Sequence, residues 1–245
     1  MALNFEVRLD VIRMSNKLAV MTSLHSDKVL QLRQLLADRF GKPELAPEKS
    51  YETGLSALND VGIPKASLTE IVSSTKAGPG GGLLLYGLLH AAIKKGERIV
   101  LIDGKGAFRP KCLPQADLNR MLWMRCNEAA EAIKAADLAV RDGNLPLIIL
   151  LLTLNPLREL RRIPATAWHR LQMLAEKSAT TLLVFTPDSQ IGCARLRLSV
   201  SGSFPLDRLH VCRDELLPSL QVQVERRRMG EGRRSSEELR RSACA

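Results

Sequence analysis

The chain has 245 residues, of which 45% are hydrophobic and 25% are charged. This length suits one well-packed α/β domain with extensions and is short for two full domains. The net charge of +10 favours an anionic partner such as DNA, although a basic surface also serves solubility alone. Aromatic residues make up only 4% of the chain, so we expect any DNA contact to be mainly with phosphates.

Several classes of protein are excluded by the same sequence. Charges interrupt the amino terminus throughout, so it lacks the apolar core of a secretory signal. The longest apolar run, residues 147–152, is far too short to span a bilayer, and we expect a cytoplasmic protein with no membrane partner. The five cysteines are widely spaced and form no C-x-x-C pair, which indicates a reducing compartment and no zinc site. We predict no metal and no cofactor.

The first 52 residues are predicted to form an N-terminal extension. Residues 26–40 have the apolar periodicity of one helix, and residues 41–50, with two prolines, have the composition of a linker. The helix could dock on its own domain or on a partner.

The centre of the chain has the order strand, glycine loop, helix, strand. Residues 68–72 and 98–103 are the predicted strands, residues 73–82 the loop and residues 83–95 the helix. This order is typical of a phosphate-binding unit, in which loop N–H groups and the helix N-terminus face an anion. The residues of the candidate nucleotide loop are Lys76, Gly78, Pro79, Gly80, Gly81 and Gly82.

The loop departs from the Walker A pattern at two decisive positions. In the register that begins at Ser73, Pro79 stands where the phosphate-binding lysine belongs, and Gly80 stands where the magnesium-binding hydroxyl belongs. Proline also removes one N–H from the cradle. We therefore expect a degenerate P-loop.

Strand and helix patterns continue to alternate after this unit. Predicted strands cover residues 121–125, 147–152, 181–185, 194–201 and 220–225, with helices at residues 128–141 and 165–177. Parallel strands need crossover connections, which helices supply. The sequence therefore predicts an α/β fold with a mainly parallel sheet, helices on both faces and antiparallel strands toward the C-terminal edge.

Particular segments resemble known families. IPKASLTEIV and GERIVLIDGKGAFRP resemble the core of the bacterial recombinase RecA. TGLSALNDVGIPKASLTEI and LQVQVERRRMG more closely resemble ImuA, the inducible-mutagenesis family of shortened RecA relatives. The resemblance spans residues 53–228 and implies a RecA-like P-loop core domain there. Residues 229–245 are then a basic tail, which its composition predicts to be disordered.

The resemblance also marks where an ATPase would place its remaining chemistry. The Walker B aspartate falls among Leu150, Leu151, Leu152 and Thr153, and the water-activating glutamate falls on Lys105. Loss of the lysine, the magnesium carboxylate and the general base together removes phosphate clamping, metal binding and water activation. We expect no ATPase activity and no catalytic residue; the alternative is that Lys76 substitutes for the missing lysine.

Three functions follow from the resemblance. The first is a non-catalytic accessory protein of the SOS response to DNA damage, acting in mutagenic translesion synthesis. Its implied partners are an ImuB-type Y-family polymerase-like protein and a second DnaE-type polymerase, and possible further partners are RecA and DNA, with nucleoid association during repair. The alternatives are an active RecA-like DNA-dependent ATPase and a SulA-type cell-division inhibitor.

Arginines supply the candidate DNA contacts. Arg158, Arg161 and Arg162 are predicted to form one basic patch with Arg170, and Arg226, Arg227 and Arg228 directly precede the basic tail. Phosphate contact and an ordinary solvated surface are equally compatible with these residues. The short turn at residues 187–193 leaves no room for the second DNA-binding loop of RecA, so we expect no strand exchange.

Overall fold

The computed structural model describes residues 50–73, 80–202, 204 and 206–228. The predicted N-terminal helix, the loop residues 74–79 and the tail from residue 229 onward lie outside the described residues. The N-terminal extension and the tail therefore stay predictions.

Within the described residues, nine strands and seven α-helices are present. The strands are β1 (Ser50–Tyr51), β2 (Ile63–Pro64), β3 (Leu68–Val72), β4 (Ile99–Asp103), β5 (Met121–Arg125), β6 (Leu147–Leu151), β7 (Thr181–Thr186), β8 (Leu196–Ser201) and β9 (Gln221–Arg227). The helices are α1 (Ser56–Asn59), α2 (Gly80–Lys94), α3 (Gln115–Leu118), α4 (Ala129–Asp142), α5 (Leu157–Arg162), α6 (Ala165–Ser178) and α7 (Arg213–Leu216). Short 3₁₀ helices cover Pro110–Cys112, Leu206–His210 and Leu217–Ser219.

Seven of the described strands form one sheet in the order β5-β4-β6-β7-β3-β8-β9. All neighbouring pairs from β5 to β8 are parallel, and β9 alone runs antiparallel to its neighbour β8. A separate two-stranded antiparallel pair joins β1 and β2. The predicted fold class is confirmed, with the antiparallel pairing at the C-terminal edge.

Each face of the sheet carries its own apolar core. One core contains the α2 residues Leu84 and Leu88, and the other contains Ala132 of α4 and Leu171 of α6. Strand β6 is buried over its whole length because it contributes alternate side chains to both cores. Full burial of one leucine side chain stabilises the fold by about 1.5–3 kcal/mol, so the continuous apolar run 147–152 is explained by packing alone.

The connection between β7 and β8 contains no helix. Both strands run parallel to β3, which lies between them, so residues 187–195 must return across one face of β3. The antiparallel pairing predicted toward the C-terminal edge is therefore found between β8 and β9, whereas β7 and β8 both run parallel to β3. A short segment can make this crossover because β3 has only five residues.

No helix in the described part of the chain is both long enough and apolar enough to cross a membrane.

Candidate functional site

The carboxyl ends of the parallel strands define the candidate site. In open α/β sheets, ligands bind in the crevice beyond these ends. Here Ser73 follows β3, Asp103 ends β4 and Leu152 follows β6. These are the three places where the phosphate loop, the water-activating group and the metal carboxylate of an ATPase would lie.

Two glycines at the start of α2 are required by packing. A Cβ atom on Gly81 would lie 1.8 Å from the Ser73 hydroxyl oxygen, and one on Gly80 would lie 2.8 Å from the carbonyl carbon of Ser201. A Cβ atom on Gly82 would meet nothing within 4 Å. Gly80 and Gly81 therefore let α2 begin against the ends of β3 and β8, whether or not a phosphate binds. Lys76, Gly78 and Pro79 lie outside the described residues.

Asp103 is fully buried and its carboxylate is used by the protein itself. The N–H groups of Ala107 and Phe108 donate to its two oxygens at 2.8 Å and 3.0 Å, and the Lys105 N–H donates at 3.3 Å. The aspartate thus holds the loop that follows β4 in a tight turn. Its oxygens accept from backbone groups and face no solvent, which makes it a structural carboxylate.

The end of β6 presents apolar side chains where a metal carboxylate would be needed. Leu151 is 4% exposed and Leu152 is fully buried, with the Leu152 N–H donating to the Phe185 carbonyl at 2.9 Å. Thr153 is half-buried and carries no charge. Among the described residues, no group of three or more His, Cys, Asp or Glu side chains is placed to hold a metal ion.

Lys105 stands at the position of the water-activating glutamate and takes part in an ion pair. Its ammonium group lies 3.0 Å from Oε1 of Glu159 on α5. Glu159 Oε2 accepts hydrogen bonds from the Asn155 amide at 3.1 Å and from the Ala129 N–H at 3.3 Å. The Glu159 side chain therefore links Lys105, Asn155 and the start of α4. The hydrogen bonds from Asn155 and Lys105 lower the pKa of Glu159 below its ordinary value.

Asn155 connects this group to the loop after β4. It is 3% exposed, and its amide also donates to the Gly104 carbonyl at 3.2 Å. A Cβ atom on Gly104 would lie 2.4 Å from the Asn155 oxygen, so glycine is needed for this close approach. Asn155 and Glu159 were not singled out in the sequence, because a polar pair four residues apart after a strand has no pattern of its own.

The three arginines of α5 do form an exposed cluster. Arg158, Arg161 and Arg162 lie on one short helix and make no ion pair with any described residue. Arg170 on α6 differs, because its guanidinium pairs with the Asp137 carboxylate at 2.8 Å and 2.9 Å. Asp137 also pairs with Arg141 of α4 at 2.8 Å, so one carboxylate is shared by two guanidinium groups, and Arg170 belongs to the contact between α4 and α6.

The arginines at the end of β9 are also partly engaged. Arg226 is half-buried and donates to the Ile191 carbonyl at 2.9 Å, and burial followed by the charges of Arg197 and Arg228 lowers its pKa. Arg227 donates to the carbonyls of Val61 and Gly62. The exposed side chain of Arg228 has no partner among the described residues.

A second buried carboxylate, Glu70, was missed in the sequence. It lies in the middle of β3, fully buried, and its Oε2 is 2.6 Å from Nε of Arg197 on β8. Its Oε1 accepts from the N–H groups of Gln190 and Ile191 at 2.7 Å and 3.1 Å. Glu70 therefore satisfies the backbone of the crossover between β7 and β8. A lone acidic residue in an apolar strand was the signal that could have found it.

The parallel sheet at this edge has a RecA-like fold. The strand that precedes the glycine loop lies in the middle of a parallel sheet, with strands added on both sides of it.

One solved structure with this architecture is the crystal structure of the RadB recombinase. The match has a TM-score of 0.52 and 16% sequence identity, and covers 74% of this chain and 92% of that chain. At this identity the likeness shows a shared fold. No protein-family model matches the sequence, and no curated protein matches it significantly.

Proposed function

We propose that this chain is a non-catalytic RecA-like accessory protein of SOS-induced translesion DNA synthesis. It acts with an ImuB-type Y-family polymerase-like protein and a DnaE-type polymerase. The RecA-like fold supports a role in DNA repair, and the resemblance of residues 53–228 to ImuA supports the particular pathway and partners.

The observation that carries the non-catalytic part is the pairing of Lys105 with Glu159. An ammonium group is a proton donor and cannot accept the proton of an attacking water, which is the task of the glutamate expected there. The pair is also linked to Asn155 and the Ala129 N–H, so the carboxylate of Glu159 is already occupied by protein donors.

The electrostatics of the strand ends support the same proposal. Magnesium needs oxygen ligands, usually carboxylates, and the buried Leu152 offers none. Asp103, the nearest buried carboxylate in sequence to the base position, accepts three backbone hydrogen bonds. A triphosphate bound here would lack the held metal that normally offsets its charge.

Calorimetric titration with Mg-ATP, run beside a phosphate-release assay with and without single-stranded DNA, tests this part. We expect no micromolar binding and no turnover. The matched control is Lys76→Ala, which removes the lysine that could substitute in the loop. Turnover in the natural chain that is lost in Lys76→Ala would overturn the proposal in favour of an active DNA-dependent ATPase.

A pull-down from DNA-damaged cells tests the partners. We expect both the Y-family polymerase-like protein and the DnaE-type polymerase to be recovered, with less of each from undamaged cells. Recovery of the tubulin-like division protein without either polymerase would support a SulA-type inhibitor instead. Recovery of neither polymerase would contradict the accessory role.

A further inference from the structure

A groove with a volume of about 780 Å³ lies beside the first turns of α2. Its walls come from three separate segments: the start of α2 with Gly82 and Tyr86, the loop after β4 with Phe108 and Arg109, and the connection between β8 and β9. Because these segments are far apart in the sequence, no local pattern predicted the groove.

The floor of the groove is apolar and its rim is basic. Leu83, Phe108 and Leu216 contribute buried or half-buried apolar surface. Arg109, Arg208 and Arg213 are exposed lining residues, and Asp214 is the single acidic residue among the described lining residues. Arg109 donates to the neutral Gly106 carbonyl at 2.9 Å, so its charge is not cancelled. The groove therefore complements a ligand that is both apolar and acidic.

Two aromatic side chains of the groove, Tyr86 and Phe108, are poorly placed to stack on bases. The Tyr86 ring already stacks on His90, with ring centroids 5.6 Å apart, and the Arg213 guanidinium lies 5.5 Å from the Tyr86 ring centre. Phe108 is 3% exposed and packs edge-on against Trp123 at 5.3 Å. Single-stranded nucleic acids are bound through free aromatic faces, so these contacts favour a peptide over a nucleic acid.

We propose that this groove binds an acidic peptide segment of a partner protein, with one or two apolar side chains on the floor and carboxylates beside the arginine rim. Neither terminal segment of this chain is acidic enough to be this peptide. Residues 1–49 contain eight Lys and Arg against six Asp and Glu, and residues 229–245 contain four against three. The inference is independent of the polymerase partners, since it rests on the groove alone.

Fluorescence anisotropy with the purified full chain tests the proposal. The probe is a short fluorescein-labelled acidic peptide that contains a Leu-Phe pair. One comparison peptide replaces that pair with Gly-Ser, and an oligodeoxythymidine serves as the nucleic-acid probe. We expect saturable binding of the Leu-Phe peptide, and binding about tenfold weaker or more for the Gly-Ser peptide, because apolar anchors carry most interface energy.

Two variants and one control locate the binding site. Arg109→Gln with Arg208→Gln removes rim charge, and Gly82→Leu fills open space at the groove while improving helix propensity by about 1 kcal/mol. We expect each to weaken peptide binding about tenfold. Arg158→Gln with Arg162→Gln removes the same charge from α5, outside the groove, and should leave binding nearly unchanged.

Three results would overturn the proposal: equal binding of both peptides, an equal loss in the α5 control, or no saturable binding of the Leu-Phe peptide. Binding of the oligodeoxythymidine that is lost in the groove variants, but not in the α5 control, would reassign the groove to nucleic acid. Circular dichroism of each variant confirms that it is folded. None of these readouts uses ATP or a polymerase, so failure here is distinguishable from failure of the accessory role.

Discussion

The two halves of the sheet each contain a fully buried carboxylate, and they stabilise it in different ways. Glu70 on β3 pairs with an arginine of the neighbouring strand and also accepts two backbone hydrogen bonds from the crossover. Asp103 at the end of β4 accepts three backbone hydrogen bonds from the loop that follows it and has no ion pair among the described residues. Both side chains are 0% exposed.

The difference teaches how this fold uses buried charge. A carboxylate in the middle of a strand is far from solvent and is matched here by a formal positive charge, whereas one at a strand end is matched by the dipoles of a turn. Each carboxylate accepts hydrogen bonds from the backbone of a connection that has no regular secondary structure. In this chain both fully buried carboxylates therefore support the backbone of a neighbouring loop.

The largest effect is expected from Glu70→Gln. The change leaves the Arg197 guanidinium, only 15% exposed, without a countercharge and should destabilise the protein by about 3–5 kcal/mol. Urea unfolding measures the free energy of unfolding. Adding Arg197→Met removes the orphaned charge and should recover part of the loss. If the free energy of unfolding of the single variant falls by less than about 1 kcal/mol, the ion pair does not govern the stability of this half of the sheet.

Asp103→Ala is expected to have the second largest effect on stability. Three backbone N–H groups lose their acceptor, which should cost about 2–3 kcal/mol. Asp103→Asn keeps one amide oxygen as an acceptor and should cost less. The same urea experiment, repeated with added Mg²⁺, should give unchanged midpoints for the natural chain. A rise with Mg²⁺ that disappears in Asp103→Asn would assign the carboxylate to a metal instead.

The exposed arginines of α5 offer a third test, since their charges are not paired within the described protein. Changing Arg158, Arg161 and Arg162 together to Gln should weaken DNA binding equally for all sequences. It should also reduce the slope of log K against log salt by about 0.7 for each single-strand phosphate that is no longer neutralised. The matched control is Arg170→Gln, whose partner is Asp137. Unchanged affinity and slope in the triple variant would make α5 an ordinary solvated surface.

The smallest effect concerns pH and Glu159. Because its folded pKa is lowered from the ordinary value of 4.5, the group contributes stability that is present above pH 4.5 and lost as pH falls through the folded pKa. The side chain is partly exposed, so water screens the effect. Asn155→Ala removes the largest cause and should move the pKa, followed by NMR titration, back toward 4.5. A pKa that does not move would place the cause elsewhere.

The longer strands and helices were well predicted from the sequence because their signals are local, whereas the short elements β1, β2, α1, α3 and α7 were not predicted. Strand β5 was predicted with both bounds correct, and β6 and α6 each end within one residue of prediction. Apolar periodicity and glycine punctuation depend on neighbours in the chain, which the sequence displays directly. The departures from the ATPase pattern at Pro79, Leu152 and Lys105 were equally visible, because each can be read directly from which amino acid stands at that position.

The amino-acid sequence alone thus determined the RecA-like fold class and the residue types that stand at the strand ends. Only the tertiary structure decided that Lys105 pairs with Glu159, that Glu70 supports the crossover, and that Arg170 pairs with Asp137 while the α5 arginines stay exposed. The groove with a basic rim beside α2 also forms only in the tertiary structure. Each of these depends on side chains that are distant in the sequence, and their charges interact only after the packed sheet brings them within a few ångströms.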